Sequence, residues 1–192
     1  ESVNEIKELM EKSSKFISVS GLAAILAGIY ALAGAYIATL VITPETHLIV
    51  TLEFMAIIAL SVLAAAAVTA GILSYCKSKK TGQSFFSRLT YRALWNFSLP
   101  MLAGGIVCIS ILMHEYYDIL ASVMLLFYGL ALVNASKFTY SSVAWLGYAF
   151  ICLGAVDCFW AGHSLLFWTI GFGGFHILYG ILFYLHYERK KS

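Results

Sequence analysis

Glu53, Asp157 and His176 are ionisable side chains set inside long apolar runs, and Asn96 and Asn134 place two amides in similar surroundings. A charge at the centre of a bilayer costs about 2.5–3.5 kcal/mol on insertion scales, so such residues are held there by partners or by a function. Two chemistries follow. Glu53 and Asp157 in the outer third, His176 near the centre and Asn96 and Asn134 toward the inside form a polar line. A proton could pass along it, as a relay or as part of a coupled small-solute pathway. The favoured reading is that the same groups form hydrogen bonds between helices, which average about 0.6 kcal/mol per pair in membranes.

A second constellation lies at one end of the apolar runs, where His47, His114 and His163 occur with Glu115, Asp118 and Asp157. Imidazole and carboxylate are zinc-type ligands, and a metal held by His114, His163, Asp118 and His47 would support hydrolysis. No two of these histidines have a helical ligand spacing, however, and nothing resembles His-Glu-x-x-His. Solvated side chains at a membrane boundary are the alternative. Haem is not expected, because a bis-histidine site needs two histidines at one depth and only His176 lies mid-run. No cofactor is expected, and zinc at the outer histidines is the one exception kept open. Cys108, Cys152 and Cys158 fall within apolar runs and Cys76 at an edge, without a C-x-x-C pair, which reads as packed thiols.

The elements that must position these residues are membrane spans. Hydrophobic residues make up 61% of the 192 and charged ones 11%, against about a quarter charged in soluble domains, so the chain reads as an all-α integral membrane protein. About 20 apolar residues cross a bilayer. Six runs qualify, at about 16–42, 48–75, 93–113, 119–136, 143–161 and 164–187. Residues 1–15 read as an amphipathic helix, with Val3, Ile6 and Met10 on one stripe and Glu8–Lys12 and Glu11–Lys15 at i,i+4. That helix is a surface lead-in or a docking site for a cytoplasmic partner. Its polar character, followed by six spans, is not that of a cleavable signal peptide. A basic tail, 188–192, closes the chain.

Small residues mark the faces that meet other helices. In the first span Gly21, Ala24, Gly28, Ala31 and Ala35 form a heptad seam, suited to a neighbouring helix of the same chain or to a second copy in a homo-oligomer. Asp157 follows Gly154 by three residues, and Gly173, His176 and Gly180 share one face. Asp157 and His176 are therefore expected to point inward.

All 12 Lys and Arg lie in the N-terminal segment, the second-to-third and fourth-to-fifth connections, and the tail. The positive-inside rule makes that side cytoplasmic, with both termini inside. The partner implied by composition is the lipid bilayer; nothing in the charge pattern points to nucleic acid.

Met101-Leu102-Ala103-Gly104 matches Ile151-Cys152-Leu153-Gly154, and Leu126-Phe127-Tyr128-Gly129 matches Ile177-Leu178-Tyr179-Gly180, at nearly equal offsets. A unit reused at this period predicts three antiparallel hairpins. Gly147, Gly154 and Gly162, then Phe167-Trp168-Thr169-Ile170-Gly171-Phe172-Gly173, His176, Tyr179-Gly180 and Tyr187-Glu188-Arg189-Lys190 resemble the ending of a family of uncharacterised bacterial six-span membrane proteins. The hairpins also resemble the repeated unit of the acid-resistance membrane protein family, which usually carries a proline where this chain has Gly162-His163 and His114-Glu115. The resemblance implies a bacterial inner (cytoplasmic) membrane and no established chemistry. The expected function is that of a non-enzymatic membrane component linked to acid or envelope stress, with a small proton-linked transporter or channel and a metal-dependent membrane hydrolase as alternatives.

Overall fold

The structure is a computed structural model that describes residues 19–41, 48–80, 82, 84–160 and 162–189, with backbone alone for 48–53. The expected amphipathic helix over 1–15, His47, the side chain of Glu53 and the last residues of the basic tail lie outside the described residues.

The described residues are helical, with no strand among them. The helices are α1 (Gly21–Val41), α2 (Leu48–Lys80), α3 (Arg88–Met113), α4 (Leu120–Ser136), α5 (Ser142–Asp157) and α6 (Ser164–Glu188). A 3-10 turn, Tyr117–Ile119, leads into α4. Five of these segments are long and apolar enough to cross a membrane: Gly21–Val41, Phe54–Lys80, Arg88–Met113, Tyr117–Ser136 and Ser164–Glu188. This supports a helical membrane protein.

Three boundaries differ from the expected spans for identifiable reasons. The fifth apolar run, expected over 143–161, is helical for only the 16 residues of α5. Its end is closed by the Cys158 N–H, which donates to the Gly154 and Val156 carbonyls, and the chain then turns through Gly162 at φ 85°. That left-handed backbone suits a residue without Cβ. The second run continues past Tyr75 to Lys80 because no breaker intervenes and long lysine stems tolerate a helix end at the bilayer edge. The third begins at Arg88, five residues early, where the Ser87 hydroxyl caps the Thr90 N–H at 3.1 Å.

Helix α6 is not uniform. Thr169–Phe175 and Tyr184–Glu188 are π-helical, separated by the α-helical turns His176–Phe183. The first π segment contains Gly171, Gly173 and Gly174, whose missing Cβ atoms ease the wider winding.

The chain divides into two compact units, Glu1–Val19 with Lys77–Phe167, and Ser20–Cys76 with Trp168–Ser192. In the first, α4 packs between α3 and α5. Leu125, Ala131 and Phe150 are fully buried there, and the Tyr128 ring meets Phe150 at 4.8 Å and Phe97 at 5.9 Å, edge to face. Lys77 Nζ donates to the Val19 carbonyl within this unit. In the second unit α1 lies along α6, and α1 meets α2 through Tyr30 Oη and Thr69 Oγ1, 3.2 Å apart.

Both units close one helix pair by the same device. On α4 and α5, Gly129 faces Gly147: a Cβ on either would sit 2.7 Å from the other's carbonyl oxygen. Seven residues along, Gly154 faces the Ser122 carbonyl. On α1 and α6 the pairs are Gly21 with Gly180 and Gly28 with Gly173, again one heptad apart and antiparallel. Backbones this close gain dispersion contact that lipid tails cannot supply. The small-residue seam of α1 is thus filled within the chain at Gly21 and Gly28, by α6.

Candidate functional site

Asp157 is the last residue of α5, three residues beyond Gly154, and the glycine contact draws α4 against that face. Its side chain is 2% exposed. Ser122, fully buried in the first turn of α4, donates from Oγ to Asp157 Oδ2 at 2.7 Å. A short bond to a carboxyl is among the stronger polar contacts a helix pair can make. Among the described residues, Asp157 Oδ1 has no hydrogen-bond partner. One oxygen of the carboxyl is therefore held by a hydroxyl, while the other is buried and open to a further donor. Water, a hydroxyl or a proton is the kind of group this oxygen accepts.

The two asparagines meet at a different place in the same unit, through the main chain of Asn96. Asn134 Nδ2 donates to the Asn96 carbonyl at 2.9 Å, tying α4 to α3, while Asn96 Nδ2 donates to the Arg92 carbonyl at 2.8 Å on its own helix. Neither amide is joined to Asp157. His176 belongs to the second unit, at the junction of the first π segment with the following α-helical turns, and is buried with its ring stacked on Phe172 at 6.2 Å and 13°. Gly173 and Gly180 on either side of it are buried as the spacing predicts.

His114 and His163 occupy exposed positions. His114 Nδ1 lies 2.8 Å from the Ser110 carbonyl, which assigns the ring proton to that nitrogen, and the ring stacks against Tyr116 at 6.3 Å. His163 lies edge-on to Trp160 at 5.9 Å. The Asp118 carbonyl accepts from Ser164 Oγ at 2.9 Å, joining the start of α6 to the turn before α4. Among the described residues no three His, Cys, Asp or Glu side chains come together as a metal-binding group.

Two polar contacts between helices escaped the sequence reading. Ser122 stands seven residues before Gly129, as Gly154 stands seven after Gly147, so paired heptads of small residues on α4 and α5 were the available signal for the Ser122–Asp157 bond. Glu188 Oε1 accepts the Gly21 N–H at 3.1 Å, so an acid at the end of α6 caps the start of α1. No short-range pattern announces a cap supplied from 167 residues away.

No protein family, curated protein or solved structure matches this chain.

Proposed function

We propose that this chain is a non-enzymatic, multi-pass component of a bacterial cytoplasmic membrane, with six spans as three hairpins, both termini cytoplasmic, and a role in acid or envelope stress. The observation that carries the non-enzymatic reading is where three polar side chains go, one of them buried and two half-buried. Ser122 joins Asp157, Asn134 joins the Asn96 carbonyl, and Glu188 joins the Gly21 amide. Each ties one helix to another, which is what a permanent bundle requires of polar groups in lipid. The positive-inside distribution supports the orientation, and the likeness of the closing residues to bacterial six-span and acid-resistance proteins supports the setting.

The test is complementation. Bacteria lacking the gene are expected to lose survival under acid or envelope stress and to regain it with the wild-type chain, while reporters fused to each terminus read cytoplasmic. Unchanged survival in the deletion strain under both stresses would remove the stress role, and an external terminus would overturn the orientation.

One observation favours a second reading, a small proton-linked transporter or channel: the open, buried Oδ1 of Asp157. Under that reading Asp157 takes up and releases a proton during the transport cycle. Asp157→Asn, which keeps an acceptor for Ser122 but cannot carry the proton, separates the two. The bundle reading expects an intact and functional variant, whereas the transport reading expects an intact and inactive one.

A further inference from the structure

The segment from Lys77 to Arg92 carries five cations, Lys77, Lys79, Lys80, Arg88 and Arg92, and no acid. Lys77 is engaged on the Val19 carbonyl. Lys80 at the end of α2 and Arg88 and Arg92 on the first turns of α3 are exposed. Between them stands Phe86, 87% exposed, its ring edge-on to Phe85 at 5.3 Å. Ser87 fixes the start of α3 by its cap on Thr90, so Arg88 and Arg92 fall one turn apart on a formed helix.

The residues that follow along α3 decide which partner fits. Tyr91, Trp95, Leu99 and Leu102 are all more than half exposed and recur at three- and four-residue steps. One exposed stripe therefore passes from cation to aromatic to aliphatic within three turns. An acidic protein or a nucleic acid would match the cations but leave the aromatic and aliphatic part of the stripe in water. The edge of a bilayer matches the whole order: phosphate at the cations, the interface at Tyr91 and Trp95, acyl chains at Leu99 and beyond.

We propose that Lys80, Arg88 and Arg92, with Phe86 and Tyr91 among them, form a docking surface for the headgroups of anionic phospholipids. The cations draw phosphodiester oxygens by their charge, and the exposed Phe86 ring lies beside them at the level of the headgroups. The surface would select anionic over zwitterionic lipid in the leaflet at this end of the molecule. The proposal rests on the membrane reading of the chain, but not on the stress role.

The test uses the full chain in bilayers of phosphatidylcholine containing either brominated phosphatidylglycerol or brominated phosphatidylcholine, with quenching of Trp95 isolated by subtracting the Trp95→Phe variant. Phosphatidylglycerol is expected to quench Trp95 with a relative affinity about fivefold above phosphatidylcholine, the gain of roughly one effective cation. The preference is expected to vanish in the Lys80→Gln, Arg88→Gln, Arg92→Gln triple variant and to survive in Arg88→Lys, Arg92→Lys, which keeps the charge and controls for folding. Excess inorganic phosphate at constant ionic strength should leave it unchanged. Equal quenching by the two lipids, a preference unaltered in the triple variant, or its erasure by free phosphate would each overturn the proposal. Absence of quenching by both lipids would instead overturn the membrane reading on which it rests.

Discussion

A methyl group added at Gly147 tests whether α4 and α5 are in backbone contact. The Cβ of Gly147→Ala would lie 2.7 Å from the Gly129 carbonyl oxygen and 2.7 Å from Val133 Cγ2, with the Val133 nitrogen at 2.9 Å. Two of these three atoms are backbone, and the third belongs to a β-branched side chain with little χ1 freedom in a helix. Relief therefore requires the helices to part by about 0.7 Å to reach ordinary contact, and a gap of that size forfeits a quarter to a half of each dispersion well along the seam. Overpacking of this kind costs about 1–3 kcal/mol, offset by up to about 1 kcal/mol of helix propensity gained in replacing glycine by alanine. The net expectation is a loss of about 1–2 kcal/mol. Gly105→Ala is the matched control: it also lies within a helix, but a Cβ there meets nothing within 4 Å, so only the propensity gain applies. Unfolding both variants with sodium dodecyl sulfate in mixed micelles, followed by circular dichroism, should move them in opposite directions, about 2 kcal/mol apart. Equal shifts for the two alanines would refute the glycine seam.

Three further outcomes are expected. Ser122→Ala removes the donor to a buried carboxyl and should destabilise the chain by about 1–3 kcal/mol in the same unfolding assay, a loss smaller in the Asp157→Ala background, which lacks the acceptor; a fully additive double variant would deny the bond. Gly28→Leu places a side chain against the Gly173 carbonyl and Ile177, so α1 should come away from α6, seen as faster amide exchange in both helices but not in α4; unchanged exchange would contradict the second seam. Glu188→Ala should speed exchange at the Gly21 amide while Glu188→Gln largely restores protection, because the amide oxygen of glutamine still accepts; equal exchange in both variants would show that Glu188 does not cap α1.

That the apolar runs are helices, five of them long enough to cross a membrane, was legible because runs of bilayer length leave the chain little alternative. Inward faces were legible too, since Gly154 with Asp157, and Gly173 with His176 and Gly180, repeat at helical spacing. Partner choice was not: a heptad of glycines such as Gly21 and Gly28 fits any other such heptad, and only the fold shows that Gly180 and Gly173 answer it. Ser122 was hidden for a related reason, because a serine in a span is unremarkable until Asp157 is placed opposite. The shortness of α5 depends on the Cys158 turn, and the π segments of α6 on a backbone choice that Gly171, Gly173 and Gly174 permit without requiring. Glu53 and His47, both drawn into the sequence reading, lie where the described side chains do not reach.

The claim at the centre of the account is that Asp157 and Ser122 tie helices together and do not carry protons through them. The direct measurement is proton flux into liposomes loaded with a pH-sensitive dye and containing the purified chain, under an imposed pH gradient. The account predicts the leak rate of empty liposomes for the wild-type chain and for Asp157→Asn. A flux above that leak in the wild type, lost in a correctly folded Asp157→Asn variant, would contradict it and establish the carboxyl as a proton carrier.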